Sequence, residues 1–206
     1  MTIGRRLPAL LLVAVLLCAC GGSDTSAPTA AAPIAAAAAT TAAAATTPAT
    51  AATSTAACPV FTDTDLKSDG FPDKLSALVG SDIRVDTQPC SERVVLELQG
   101  SGDFPGWWVR YQLPPLIDDP RGEPVEVVGS AFIVVTIGSW MTTMEGEGYH
   151  GPTMITPTNV SHIKQLMLLG DFESVTTWAI GLDQQRPFRV TTLDSPPRLV
   201  IEISTA

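Results

Sequence analysis

The sequence predicts an all-β fold, a two-sheet β-sandwich built from short antiparallel strands, and three observations carry that expectation. Residues 168–203 read LLGDFESVTTWAIGLDQQRPFRVTTLDSPPRLVIEI. They hold three runs rich in β-branched and aromatic residues, 175–180, 188–193 and 198–203, parted by Gly181-Leu182-Asp183 and by Asp194-Ser195-Pro196-Pro197, which is the pattern of strand, turn, strand, turn, strand. In the last run Leu199, Ile201 and Ile203 alternate with Val200, Glu202 and Ser204, so one face is apolar and the other mixed. Across residues 58–206 apolar residues come in short runs with turn residues between them, not in long helical periods.

Taken from its start, the chain first reads as an address. Arg5 and Arg6 precede an apolar run at 7–17, too short to span a bilayer as a mature helix. Leu17-Cys18-Ala19-Cys20 follows, then Gly21-Gly22. This resembles a bacterial lipobox: small Ala19 lies beside the cut, and the Cys20 thiol becomes the new N-terminus. Residues 1–19 are therefore expected to be a lipoprotein signal peptide and Cys20 the lipidated residue, with an ordinary secretory signal as the alternative. Either way the mature chain is exported. Residues 20–57 are the lipidated cysteine followed by a tract almost entirely of Ala, Thr, Pro and Ser. Thr and Pro oppose helix and nothing in the tract builds a core, so it reads as a disordered tether. Its composition also suits an O-glycosylated stalk.

Charge narrows the partners. The 12 lysines and arginines against 21 acids give −9. Loss of Arg5 and Arg6 with the signal leaves 10 against 21, a net charge of −11. An acidic chain does not suit nucleic acid, whose phosphates need a basic patch. Nor does it suit electrostatic docking on anionic lipid, so the acyl chains at Cys20 are expected to hold it on the extracytoplasmic face of the cell membrane.

The remaining length suffices for one domain with its own core. Residues 58–80 form its N-terminal extension and carry a short helical turn expected at 73–79. The strands expected after it are 83–86, 93–98, 107–112, 125–128, 131–137, 163–169 and the three runs above. Gly100-Ser101-Gly102, Phe104-Pro105-Gly106, Pro114-Pro115, Asp118-Asp119-Pro120-Arg121-Gly122 and Gly146-Glu147-Gly148 punctuate them. An echo runs between Arg93-Val94-Val95-Leu96-Glu97-Leu98 and Arg198-Leu199-Val200-Ile201-Glu202-Ile203. Equivalent strands in two facing sheets would produce it, and so would coincidence between half-buried strands.

Beyond Cys18 and Cys20 the chain has two cysteines, Cys58 and Cys90. In an oxidising exterior an isolated pair closes, so a Cys58–Cys90 disulfide is expected, tying the start of the domain to the strand entered at Arg93. The spacing is not that of a redox Cys-x-x-Cys pair. His150 and His162 lack a second histidine at metal spacing, and no Gly-x-Ser-x-Gly elbow is present. No catalytic residue, metal ligand or cofactor is therefore assigned. His150 reads as a loop residue and His162 as a surface residue at a strand entry. Asp63-Thr64-Asp65-Leu66-Lys67-Ser68-Asp69-Gly70 faintly resembles a calcium loop, but Lys67 sits at a ligand position and Lys74 where the bidentate glutamate belongs.

The aromatic pair Trp107-Trp108 is the best candidate for recognition. In a strand Trp107, Val109 and Tyr111 share one face, and Trp108, Arg110 and Gln112 the other. One face is core. The other either offers Trp108 beside Arg110 for stacking on a sugar or peptide, or leaves a core tryptophan shielded by the arginine stem. Trp140 and Trp178, in apolar runs, are assigned to the core.

The stretches Leu169-Gly170-Asp171-Phe172-Glu173, Thr177-Trp178-Ala179-Ile180-Gly181-Leu182-Asp183, Arg186-Pro187-Phe188-Arg189-Val190 and Leu193-Asp194-Ser195-Pro196-Pro197-Arg198-Leu199-Val200-Ile201 resemble the AMIN-like domain of bacterial surface lipoproteins. So do Arg93-Val94-Val95-Leu96-Glu97-Leu98, the Pro114-Pro115 turn with Asp119-Pro120, and Gly148-Tyr149-His150-Gly151-Pro152. The likeness covers residues 81–206. It implies the fold of the AMIN domain of cell-wall amidases, two small facing sheets, and a non-catalytic module that binds peptidoglycan. The expected function is thus a membrane-anchored, wall-directed binding protein. Trp108, Arg110, Arg189 and Arg198 are its candidate ligand-binding residues, the arginines taking peptide carboxylates and Trp108 a glycan ring. The acidic net charge opposes an anionic polymer. The rival is a protein-interaction subunit that docks through an edge strand onto a membrane or cell-wall enzyme.

Overall fold

The computed structural model describes residues 58–206. Cys20, the signal and the tether lie outside the described residues. Twelve strands follow in chain order: β1 Lys67–Asp69, β2 Val79–Gln88, β3 Ser91–Gln99, β4 Trp107–Tyr111, β5 Leu116–Asp118, β6 Glu123–Val125, β7 Ala131–Ile137, β8 Met154–Ile155, β9 Ile163–Phe172, β10 Val175–Leu182, β11 Phe188–Asp194 and β12 Pro197–Ser204. The described residues contain no α-helix. A six-stranded sheet runs β1-β4-β7-β10-β9-β8, a four-stranded sheet runs β11-β12-β3-β2, and β5-β6 form a hairpin of their own. Every pairing is antiparallel.

Alternation decides which side chains meet between the sheets. From the four-stranded sheet come Ile83, Val94, Leu96, Leu98, Phe188, Leu199, Ile201 and Ile203. From the six-stranded sheet come Trp107, Val109, Ile133, Val135, Ile137, Leu166, Trp178, Ile180 and Leu182. These make one core, the arrangement of a two-sheet sandwich. Trp178 is fully buried in it, whereas Trp140 is only half-buried. Each such aliphatic or aromatic side chain contributes roughly 1.5–3 kcal/mol by leaving water.

Two expected elements differ. No helical turn forms at 73–79, although Leu75, Leu78 and Val79 are spaced as if on one helix face. The backbone finds partners elsewhere: Ser76 N–H donates to Gly138 O and Gly80 N–H to Trp140 O, both at 2.8 Å, so the segment runs beside residues 138–140. A single α-turn lies just upstream, where Lys74 N–H donates to Gly70 O, and it does not continue. The strand expected at 125–128 ends at Val125. Val128 N–H is instead taken by the Gln165 side chain at 2.9 Å, and Gly129 passes close against Leu182 with φ +156°.

The sequence echo also has its explanation. β3 and β12 are neighbours at the centre of one sheet, not counterparts in facing sheets. Their register sets Arg198 opposite Glu97 and Arg93 opposite Glu202, so the repeated Arg…Glu pattern is a cross-strand charge match.

The disulfide Cys58–Cys90 is formed. It ties the segment ahead of β1 to the β2–β3 turn. Past it, Asp63 O accepts from Phe188 N–H at 3.2 Å. The Asp63 carboxylate is engaged by the Lys67 ammonium and by Asp65 N–H.

A polar clasp closes the end of the sandwich. His162, expected as a surface residue, is only 21% exposed, and its Nδ1 lies 2.9 Å from Asp183 Oδ2. Asp183 also receives the buried Arg186 guanidinium, Nε at 2.9 Å and Nη2 at 3.2 Å. Arg186, with His162, holds the Asp183 carboxyl well below its usual range. A carboxyl whose pKa falls on folding adds stability above the unfolded value, about 3.9, and the gain is lost as pH drops toward the folded one. Acid titration of stability is therefore expected to show a loss below about pH 4 that Asp183→Asn largely removes. The same variant, leaving Arg186 buried without its carboxylate, is also expected to be less stable at pH 7. An unchanged acid profile in urea melts would contradict this role.

Candidate binding groove

The outer face of the six-stranded sheet carries the candidate site. In β4 the alternation turns Trp107 and Val109 into the core and Trp108 and Arg110 outward. The outward side chains of β7 and β10 beside them are Val134 and Thr136, and Val175 and Thr177, and they line the same groove. The β5–β6 hairpin covers the rest of this face over a second small core of Leu116, Val127, Val134, Leu169 and Ala179.

Two local devices shape the groove. The first is a bulge in β9. Thr177 pairs with Gly170 while Trp178 pairs with Leu168, so Leu169 is left over. Leu169 faces outward by alternation with Leu166 and Leu168, and the extra residue keeps Gly170 on the outer side as well, opposite Thr177; the Leu169 carbonyl is left to accept Asp119 N–H at 2.9 Å. Asp119 is thereby fixed on the groove wall. The second is the approach of residues 70–71 to β4. A Cβ on Gly106 would lie 2.5 Å from Gly70 C, so only glycine lets the turn come this close. That turn lays Phe71 against Trp108, with ring centroids 4.8 Å apart at 55°.

The result is a groove of about 300 Å³ lined by Phe71, Trp108, Arg110, Ile117, Asp119 and Thr177 among others. This is the low end for small-ligand sites, space for a sugar ring or about two amino-acid residues. The Arg110 guanidinium lies over the Trp108 ring, 4.8 Å from its centroid. It makes no ion pair or hydrogen bond to any described residue. The Trp108 indole N–H is buried and lacks an acceptor. Arg110 and Phe71 cover the indole, so the groove presents a guanidinium on an aromatic bed.

Arg189 and Arg198 lie elsewhere, on the outer face of the four-stranded sheet. There Arg189, Glu202, Arg93 and Asp86 stand in one row across β11, β12, β3 and β2, alternating in sign. Arg189 Nε bonds Glu202 at 2.5 Å and its guanidinium lies 4.7 Å from the Phe61 ring centre. Arg198 Nε donates to Pro196 O at 3.2 Å. In the next row but one, Arg84 bridges Asp82 and Glu97. The four candidate residues thus do not form one site: Trp108 and Arg110 share a groove, while on the other sheet Arg189 pairs with Glu202 and Arg198 meets only the Pro196 carbonyl. Sequence reasoning missed Phe71, Asp119 and Thr177. Their strands and turns were visible, but what brings them to Trp108 is a bulge and a glycine contact.

Fold and groove together define a small all-β sandwich module with a groove on one sheet face. Residues 78–205 match the family model described as AMIN-like domain, and the chain belongs to that family. The match begins at Leu78, which is buried, so the boundary expected at 81 falls inside β2. No curated protein and no solved structure matches the chain. AMIN-like domains are in general non-catalytic binding domains of extracytoplasmic cell-envelope proteins. Phe71 lies outside the matched residues and still lines the groove.

Proposed function

We propose that this chain is a non-catalytic surface lipoprotein, anchored through Cys20 on the extracytoplasmic face of the membrane, whose sandwich binds peptidoglycan through the Trp108–Arg110 groove. The observation that carries the reading is Arg110, which has no carboxylate partner among the described residues and lies over the Trp108 indole. In a mature chain of net charge −11, a guanidinium so placed is held ready for an anionic group from outside. Its aromatic bed limits its freedom, which lowers the entropic cost of binding. The overall acidity slows approach to an anionic polymer, and physiological salt screens that repulsion beyond about 8 Å while sparing the close contact.

The test is co-sedimentation of the full chain, purified in detergent, with isolated sacculi at physiological salt. Arg110→Gln is expected to weaken retention by about tenfold, the worth of one charge-assisted contact. Arg198→Gln, on the opposite sheet, is expected to leave it unchanged. Equal retention of both variants and the parent chain would contradict the assignment. The rival, a subunit that docks through an edge strand, is favoured by β11, which ends its sheet with residues 191–194 exposed. Absence of retention at any salt would shift the weight to that reading.

A further inference from the structure

The charge arrangement of the groove goes one step further and, resting on the wall-binding reading above, narrows the ligand. Opposite Arg110 the wall carries Asp119. These two groups line one groove and do not pair with each other, since no ion pair joins them within 4.0 Å. Past Asp119 and Val175 the depression continues over Gly170, Phe172 and Glu173. Glu173 is exposed at the tip of the β9–β10 hairpin, where it and Ser174 have φ of 50° and 61°. A two-residue turn with both φ positive holds the tip in one conformation. The lane therefore runs from a cation at Arg110 to the carboxylates of Asp119 and Glu173. Stacking is not what it offers, because Arg110 and Phe71 already cover Trp108.

We infer that the groove recognises a dipolar peptide group, one that carries a free carboxylate for Arg110 and a free ammonium for Asp119, with Glu173 adding to the field. In a wall polymer that chemistry belongs to the peptide stems, whose diamino acid bears a side-chain ammonium, and not to the neutral N-acetyl sugar rings. A charge at each end also fixes the direction in which the stem lies. Between the two ends, Thr136 and Thr177 of the floor supply hydroxyls whose mutual contact is long, 3.4 Å.

The test is competition for sacculi by three soluble probes, with the full chain in detergent. The probes are a stem tripeptide ending in a diamino acid, the same tripeptide acetylated on its side-chain amine, and a peptide-free glycan oligomer. The free tripeptide is expected to displace the protein, the acetylated one about tenfold less well, since it lacks the charge Asp119 pairs. The glycan oligomer is expected not to compete. Asp119→Asn is expected to bind both tripeptides alike, so the tenfold discrimination disappears while folding, read by urea melts, does not change. Competition by the glycan oligomer and not by the tripeptides would overturn this inference and leave wall binding standing. Discrimination that survives Asp119→Asn would overturn the role of that residue. No retention on sacculi at all would overturn both this inference and the reading beneath it.

Discussion

Glu92→Ala is expected to lower the stability of the domain by about 4 kcal/mol, more than any surface substitution. Glu92 starts β3 and is 3% exposed. Its carboxylate takes Ser161 N–H at 2.5 Å, His162 N–H at 3.0 and 2.9 Å, and Ile163 N–H at 2.8 Å. Those three amides lead into β9, which belongs to the other sheet. One side chain thus fastens the sheets together at this end and satisfies three backbone donors, of which that of Ile163 is buried and those of Ser161 and His162 are part-buried. A charged hydrogen bond contributes about 1.5–3 kcal/mol, and stranded donors cost about as much again. In a domain of this size the loss is a fall of roughly 8–16 °C in Tm. Glu92→Gln, keeping one acceptor oxygen, is expected to fall between the two. A loss below about 1 kcal/mol in urea melts of Glu92→Ala would show the clasp to be incidental.

Loss of the Cys58–Cys90 bond is expected to cost about 3–4 kcal/mol. The bond closes a loop with a sequence separation of 32, which sets the entropy removed from the unfolded chain. It also holds the lead-in segment whose Phe61 lies under Arg189 and whose Asp63 O meets Phe188 N–H. Cys58→Ser is expected to lower the unfolding free energy in urea melts by that amount, with a larger m-value because the unfolded chain without the crosslink exposes more surface, and to open residues 58–66 to protease before the core unfolds. Equal urea midpoints for the oxidised and reduced chains would contradict it.

How much of this was legible depended on whether a feature was local. Period-two alternation in 198–203 marked Leu199, Ile201 and Ile203 as the core face, because a strand with one wet face must alternate. The disulfide followed from compartment and an isolated pair. In 107–111 alternation separated Trp107 and Val109 from Trp108 and Arg110 but left open which pair faces inward, and only the packing of β4 against the second sheet decides it. What alternation does not reveal is a change of phase. The bulge that sets Gly170 on the same side as Leu169 depends on how β9 pairs with β10, and nothing in Leu168-Leu169-Gly170 marks it from within. The segment 73–79 misled for a related reason. Its apolar spacing fits a helix, but its amides are taken by Gly138 and Trp140, residues far along the chain. Glu92 likewise reads as an ordinary outward residue of a strand until its three distant donors are seen. The groove residues share this limit: Arg110 was visible, while Asp119 sits in a stretch whose composition speaks only of a turn.

The central claim is that the outer face of the six-stranded sheet, and not that of the four-stranded sheet, holds the wall. Hydrogen exchange of the full chain, with and without soluble peptidoglycan fragments, tests it directly. The account predicts slowed exchange in Trp107–Tyr111, Leu116–Asp118 and the start of Val175–Leu182, with Phe188–Asp194 and Pro197–Ser204 unchanged. Protection confined to Phe188–Asp194 and Pro197–Ser204 would contradict it and move the site to the sheet of Arg189 and Arg198.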